Sequence, residues 1–218
     1  VQNSASVGLT VADADPPQDP ADLMRRADLA LNEAKRAGRG VVRAFDESMD
    51  ETVRFRRRIE TGLGEAMTNG ELTLVYQPIF ARGGLEVVAF EALLRWCSPE
   101  YGMISPAMFI SVAEESSLIH ALGDWVVDAA LETVKRWPGQ FVSVNFSPRQ
   151  FRRQNFVAQL VAQVQRAGVS PNQLQIEITE TALAENAERA ADTLYRLRQM
   201  GFRVAIDDFG TGYSSLYN

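Results

Sequence analysis

The chain has 218 residues, of which 46% are hydrophobic, and it carries a formal net charge of −6. This length suits one large globular domain or one and a half, and the negative charge argues against sequence-independent binding to polymeric nucleic acid. No apolar run is long enough to span a bilayer, so we expect no membrane segment. The single cysteine, Cys97, excludes an internal disulfide and suits a reducing, cytoplasmic compartment.

The first block, residues 1–45, predicts a strand, a helix and a strand. "ASVGLTVA" alternates as a strand does, "ADLMRRADLALNEAKRAGRG" has apolar residues at helical spacing before two glycines, and "VVRAF" is a short closing strand. Forty-five residues are too few to bury a hydrophobic core that would be stable on its own. We therefore interpret the block as the C-terminal part of a larger α/β domain.

Residues 46–60 are rich in charge and predict a linker helix that leads into the first helix of a second domain, residues 61–218. Phe55, Ile59, Leu63 and Met67 recur every four residues, which is typical of one buried helix face. The arginines Arg54, Arg56, Arg57 and Arg58 could bind phosphate, but a solvated helix face is the favoured interpretation.

From residue 71 the chain predicts an antiparallel hairpin and then alternating helices and strands. "ELTLVYQPIF" and "LEVVAFEALLRW" are strands separated by the turn residues Gly83 and Gly84. The helical stretch between residues 106 and 137 is expected to divide near Gly123. "FVSVNFS", "LQIEIT" and "FRVAIDDFG" are strands, and a single long helix follows each of the first two, which predicts parallel strands joined by right-handed crossovers.

Oxygen-bearing side chains stand at the C-terminal ends of successive predicted strands. These residues are Glu91, Asn145, Glu177, Asp207 and Asp208. In a closed parallel barrel, this end of the strands is where active sites are built. Small residues lie two positions earlier on the same strand face in three cases (Ala89, Ser143 and Ala205), which would leave room beneath the polar side chains.

Carboxylates that converge on one place repel one another unless a cation neutralises them. Because the candidate ligands are all oxygen atoms, they favour a hard ion, Mg²⁺, Mn²⁺ or Ca²⁺, over zinc. Asp207 and Asp208 point to opposite sides of an ideal strand. They could serve two metal ions, or one could bind metal while the other orients a loop.

Each of these residues also has a purely structural interpretation. A strand-end aspartate is commonly a helix cap or a turn residue, and Asn145 alone would be a turn residue. Glu177 is harder to explain in this way, because an unpaired carboxylate between Ile176 and Ile178 would be costly. His120, the only histidine, is interpreted as an ordinary helix residue.

The chain resembles a known family at five motifs that occur in the family's order over about 145 residues. The family is that of the EAL-domain cyclic-di-GMP phosphodiesterases. The first block, through "ADLMRRADLALNEAKRAGR", resembles the last part of a GGDEF diguanylate cyclase domain. The five motifs are "YQPI" at 76–79, "EALLRW" at 91–96, "NFSPRQF" at 145–151, "EITET" at 177–181 and "DDFGTGYSSL" at 207–216.

The resemblance implies an α/β fold, a modified TIM-type (β/α)₈ barrel whose first strand runs antiparallel. It implies that Glu91, Asn145, Glu177 and Asp207 hold one Mg²⁺ or Mn²⁺ ion and that Asp208 helps to hold a second. Gln77 and Arg95 are implied as substrate contacts, Arg95 at a phosphate through charge-assisted hydrogen bonds. The implied reaction is hydrolysis of cyclic-di-GMP to linear pGpG in bacterial second-messenger signalling.

The resemblance also implies parts that these 218 residues do not contain. The family's later lysine, glutamate and glutamine come from strands beyond the fourth ligand strand, so we expect the barrel here to be truncated and incomplete for catalysis. The GGDEF signature would lie upstream, so we expect no cyclase activity from this chain. Family members pair through the barrel, and the loop that begins at Asp208 would link metal binding to that pairing, so a homodimer is an expectation.

Three interpretations of function therefore stay open at this point. The first is a metal-dependent phosphodiesterase, the second is a regulatory module that binds cyclic-di-GMP without cleaving it, and the third is an α/β fragment whose acidic residues only cap helices. The intact motifs favour the enzyme, because lost metal ligands are the usual mark of a binding module. Stabilisation by Mg²⁺ would argue against the third interpretation.

Overall fold

The computed structural model describes residues 4–12, 18–184 and 187–207. The chain divides into two compact units, residues 1–59 and residues 60–218. None of the described helices combines the length and the apolar character that crossing a bilayer requires.

The first unit contains a parallel pair of short strands and a helix between them. Strand β1 (Val7–Leu9) pairs with β2 (Val42–Ala44), and helix α1 (Pro20–Arg36) connects them. Helix α1 begins after Asp19, whose side chain accepts the backbone N–H of Ala21 and so caps the helix. The strand–helix–strand order agrees with the sequence prediction for this block.

Helix α2 spans Glu47–Asn69. Within the first unit, the side chain of Arg25 on α1 bonds the carboxylates of Asp22 and Asp50, and Asp50 lies on α2. These contacts lower the pKa of both carboxyl groups. Of the four apolar residues whose spacing predicted a buried face, Ile59 and Leu63 are buried and Phe55 and Met67 are half-buried.

The second unit is built on one sheet, with helices following its parallel strands. Among the described residues the strands are β3 (Leu72–Phe80), β4 (Val87–Ser98), β5 (Gly102–Ile104), β6 (Phe141–Phe146), β7 (Leu174–Thr179) and β8 (Arg203–Asp207). The helices are α3 (Pro106–Glu115), α4 (Leu118–Val134), α5 (Pro148–Phe151), α6 (Phe156–Ala167), a 3₁₀ turn (Pro171–Gln173), α7 (Glu180–Ala184) and α8 (Ala187–Gln199).

The strand order is β3-β4-β6-β7-β8, and β5 pairs with β4 as a short extra strand. Strands β3 and β4 form the predicted antiparallel hairpin, and the side chain of Leu85 in its turn is 94% exposed. The pairs β4–β6, β6–β7 and β7–β8 are parallel. This α/β sheet, with one antiparallel strand beside parallel ones, agrees with the TIM-like barrel that the sequence predicts.

The two faces of the sheet have different compositions. Even-numbered residues of the parallel strands point toward the helices and are apolar: Val142, Val144, Ile176 and Ile178 are all buried, as is Leu174. They form one core with buried side chains of α4, α6 and α8. Odd-numbered residues occupy the other face, because successive side chains of a strand point in opposite directions.

The helical stretch after β5 divides at Ser116 and Ser117, not near Gly123, so that part of the sequence prediction was wrong. Helix α3 ends where Ser116 adopts an extended backbone, and α4 then runs without a break through Gly123. A Cβ atom at Gly123 would lie 1.6 Å from the side-chain nitrogen of Gln150. The glycine therefore makes room for a neighbouring side chain rather than interrupting the helix.

The predicted single helix after β6 is also interrupted. Residues 152–155 separate the short helix α5 from α6. Helix α6 ends at Gly168, whose φ of 68° is left-handed and therefore suits glycine, as the sequence predicted.

Candidate metal and substrate site

The strand register places the candidate residues on one face of the sheet. Glu91 pairs with Gln77 on one side and with Ser143 on the other, and Asn145 pairs with Glu177. Residues that pair across neighbouring strands share a face, and residues two apart on one strand do so as well. Glu91, Asn145 and Glu177 therefore belong to one face, with Glu91 near the middle of β4 and the other two near the carboxyl ends of β6 and β7.

Asn145 and Glu91 are in direct contact. The Nδ2 atom of Asn145 donates a hydrogen bond of 2.8 Å to Oε1 of Glu91. A carboxylate can only accept, so the contact fixes which end of the amide faces Glu91. The Oδ1 atom of Asn145 is left as an acceptor, which is the atom that a hard cation requires.

Glu177 is held by a residue that the sequence did not single out. The Nε2 atom of Gln175 donates to Oε1 of Glu177 and to Oγ of Ser143, at 3.0 Å in each case. Ser143 is fully buried. The position beneath Glu177 is thus filled by a hydrogen-bonding amide, and Ser143 serves as an acceptor rather than only as a small residue.

Asn145, Glu177 and Arg95 line one cavity of about 280 Å³. Its other walls are mostly apolar and come from α3, α4, β4 and the end of β6, including Pro106, Ile110, Ile119, Leu122 and Phe146. The guanidinium of Arg95 donates to the backbone carbonyl of Leu94 at 2.9 Å. The cavity thus combines an apolar wall with one guanidinium and four carboxamide or carboxylate groups, which are those of Glu114, Asn145, Gln150 and Glu177.

The segment that follows Asn145 is fixed by Gln150. Ser147 and Gln150 form a capping box at the start of α5, in which the Gln150 side chain accepts the Ser147 backbone N–H at 3.0 Å. Gln150 is buried and occupies the space that Gly123 leaves open on α4. Helix α4 therefore supports the turn that follows Asn145.

The remaining candidate residues lie near the edges of this group. Asp207 pairs with Thr179, two residues beyond Glu177 on the same face, and Gln77 is exposed on β3 beside Glu91. Asp208 and the loop that follows it lie outside the described residues. The structure thus joins Glu91, Asn145 and Glu177 most closely and leaves Asp207 one strand further away.

The donor chemistry fits a hard divalent ion, although the carboxylates are spread out. Over residues 4–12, 18–184 and 187–207, no three Asp, Glu, His or Cys side chains come close enough together to form a metal site. Neighbouring strands are about 4.8 Å apart, so Glu91 and Glu177, two strands apart, need a bridging residue such as Asn145 between them. The oxygens of Glu91, Asn145, Glu177 and Asp207 would hold such an ion.

His120 on α4 lies outside this group. Burial lowers the pKa of its imidazole, and the nearby positive charges of Arg153 and Arg149 act in the same direction. Its Nδ1 atom is buried without a hydrogen-bond partner. His120 is a half-buried residue of α4, which agrees with its interpretation as an ordinary helix residue.

Comparison with known proteins gives a family for the chain. The EAL domain family model matches residues 61–218. The cyclic di-GMP phosphodiesterase PdeR of Escherichia coli is 39% identical over 220 residues, which is 99% of this chain and 33% of that protein. The bifunctional diguanylate cyclase/cyclic di-GMP phosphodiesterase MucR of Pseudomonas aeruginosa is 34% identical over 221 residues, 99% of this chain and 32% of that protein.

A solved structure, the MucR phosphodiesterase in complex with cyclic-di-GMP, superposes with a TM-score of 0.69 at 35% identity. The match covers 72% of this chain and 66% of that one. The chain spans only about a third of the length of the two curated relatives. The family match covers most of the chain, and we conclude that it belongs to the EAL domain family.

Proposed function

We propose that this chain supplies the first strands and the metal-binding edge of a phosphodiesterase that hydrolyses cyclic-di-GMP to linear pGpG. The proposal assigns Mg²⁺ or Mn²⁺, as one or two ions, to Glu91, Asn145, Glu177 and Asp207, with Asp208 as a further ligand. Gln77 and Arg95 are assigned to the substrate. The observation that carries the proposal is the Glu91–Asn145 contact beside Glu177 in an EAL domain.

The described residues suggest how the reaction would be divided among them. A bound divalent ion would supply a water nucleophile at neutral pH and polarise a phosphoryl oxygen. Arg95 would bind a phosphate oxygen through charge-assisted hydrogen bonds, and the apolar wall from Ile110 to Leu122 would exclude water beside it. Asn145 would orient its amide oxygen because its nitrogen is committed to Glu91.

Several wider features go with this proposal. Residues 1–45 would be the end of a GGDEF domain, residues 46–60 the linker and residues 61–218 part of the EAL barrel, in a cytoplasmic bacterial signalling protein. The alignment with MucR, which is named as a bifunctional diguanylate cyclase/cyclic di-GMP phosphodiesterase, extends over 99% of this chain. An unpaired, exposed thiol at Cys97 suits a reducing compartment. A homodimer formed through the barrel belongs to the same proposal.

The test is turnover of cyclic-di-GMP with Mn²⁺ by the full-length gene product and by its Glu91→Gln and Glu177→Gln variants. Each variant replaces a carboxylate oxygen by a neutral amide of the same shape. We expect turnover to fall at least 100-fold in both. Glu100→Gln, at an exposed turn after β4, is the matched control and should retain full turnover.

The regulatory-module alternative gives a different result in the same experiment. It predicts binding of cyclic-di-GMP, seen as a raised melting temperature, without release of pGpG. Full turnover in Glu91→Gln would show that the metal assignment is wrong. If neither Mn²⁺ nor cyclic-di-GMP stabilised the protein, the acidic residues would be structural and the whole proposal would fail.

A further inference from the structure

We propose that Gln175 is a positioning residue for metal binding, which acts by orienting the carboxylate of Glu177. This inference rests on the proposed function, because it gives the metal ligand Glu177 a partner. Gln175 is on β7, two residues before Glu177, and the two side chains lie on the same face of the sheet. The motif that contains Glu177 covers residues 177–181 and does not include Gln175.

The hydrogen bonds fix the orientation of the Gln175 amide. Its Nε2 atom is 3.0 Å from Oε1 of Glu177 and 3.0 Å from Oγ of Ser143. Because an ionised carboxylate has no proton to donate, only the nitrogen end of the amide can face Glu177. Both N–H groups of Gln175 are therefore used, one on each neighbour.

Ser143 anchors this amide to the interior of the protein. Its side chain is fully buried, and it pairs with Gln175 across the β6–β7 ladder. A buried, register-paired acceptor allows little choice of rotamer to the glutamine that binds it. The order Ser143, Gln175, Glu177 is thus a relay in which the position of a buried hydroxyl determines where a carboxylate oxygen points.

A neutral donor suits this place better than a charged one. Gln175 occupies one oxygen of Glu177 and leaves Oε2 for a cation. A lysine or arginine would compete with that cation through its own positive charge, and a glutamate would add a like charge next to Glu177. Partners that orient a metal ligand in this way commonly change metal affinity by about 10-fold to 100-fold when they are removed.

The test measures Mn²⁺ affinity of the full-length gene product from the loss of the free Mn²⁺ EPR signal, without substrate. Gln175→Met keeps the length of the side chain and removes both donors. We expect the dissociation constant for Mn²⁺ to rise about 10-fold or more. Gln199→Met, at an exposed position at the end of α8, is the control and should leave the constant unchanged.

Two further measurements separate positioning from general damage. Turnover by Gln175→Met should recover at saturating Mn²⁺, since the ligands themselves are intact. Ser143→Ala should weaken Mn²⁺ binding by a smaller factor, and adding it to Gln175→Met should cause no additional loss, because both act through one relay. Ser143→Ala also serves as the test if Gln175→Met does not fold.

The failures of the two proposals are distinguishable. If Glu177→Gln abolishes Mn²⁺ binding while Gln175→Met and Ser143→Ala leave it within two-fold of the parent, Gln175 has no positioning role. Fully additive losses in the double variant would also overturn the relay. If Glu177→Gln itself leaves Mn²⁺ binding unchanged, the metal assignment under the proposed function fails first.

Discussion

The two faces of strand β7 differ in role: one packs into the hydrophobic core and the other carries residues of the candidate site. Ile176 and Ile178 are buried against the helices, whereas Gln175 and Glu177 alternate with them on the opposite face and bond to each other. The period of two along a strand makes this division possible within four consecutive residues. Neighbouring residues in sequence should therefore respond very differently to substitution.

The largest expected effect tests the apolar face. Ile176→Ala removes a side chain that is 0% exposed and should lower the free energy of unfolding by about 2–5 kcal/mol. Chemical denaturation in EDTA measures this. The adjacent Glu177→Gln should change it by no more than about 0.5 kcal/mol, because no apolar contact is lost. A comparable loss in both variants would contradict the division between the faces.

A second prediction concerns the support that α4 gives to the turn after Asn145. Gly123→Ala would place a methyl group against Gln150 and should destabilise the protein by about 1–3 kcal/mol. Gly64→Ala is a matched control on α2, because a Cβ there would meet nothing within 4 Å. That control should instead stabilise the protein by about 0.5–1 kcal/mol.

The Gly123 result can be traced to its cause with a second substitution. Shortening the obstructing side chain in Gly123→Ala/Gln150→Ala should recover part of the lost stability, as measured by thermal unfolding. If the double variant lost more stability than the two single variants lose in sum, Gln150 would not be the group that Gly123 accommodates.

A smaller effect is expected at a hydrogen bond on the helix-facing side of the hairpin. The hydroxyl of Tyr76 donates to Oγ1 of Thr133 at 2.8 Å, and Thr133 is buried. Tyr76→Phe should therefore cost about 0.5–1.5 kcal/mol in urea denaturation. Tyr195→Phe, at a residue that is 64% exposed, should cost nothing measurable.

The smallest effect is a pH dependence from the helices that cover the apolar face. The pKa of His120 is lowered in the folded protein, first by burial and then by Arg153 and Arg149. The unfolded chain therefore takes up a proton more readily. Stability from the neutral imidazole is complete above about pH 6.5 and is lost as the pH falls through the lowered, folded-state pKa. Equilibrium unfolding at pH 7, 6 and 5 measures this loss.

A matched substitution isolates the histidine. His120 is the only histidine in the chain, so His120→Gln should flatten the slope of stability against pH in this window. An unchanged slope in that variant would assign the pH dependence to carboxyl groups instead.

Much of the fold could be predicted from the sequence, because apolar periodicity is a local signal. The hairpin and the parallel strands that carry Glu91, Asn145, Glu177 and Asp207 followed from alternation and turn residues alone. The break of the long helix was placed wrongly, because glycine commonly interrupts helices and Gly123 was the glycine in that stretch. The actual role of Gly123 depends on its contact with Gln150, which lies in a later segment of the chain.

The candidate site shows the same limit. The recurrence of polar side chains at strand ends indicated which residues to compare, and the register then placed three of them side by side. The role of Gln175 was hidden, because its partners Ser143 and Glu177 depend on the exact pairing of β6 with β7. In the sequence, only its position two residues before Glu177 indicated that Gln175 shares a strand face with that carboxylate.

The hairpin between β3 and β4 offers a practical consequence. Its turn projects Leu85 into solvent, while the same two strands carry Gln77 and Glu91 further along. With the native thiol of Cys97 exchanged for serine, a cysteine introduced in place of Leu85 would accept a fluorescent dye at a point that takes no part in the core. Such a label would report on the arrival of ligand near Gln77 and Glu91, in the middle of the hairpin, while leaving the interior undisturbed.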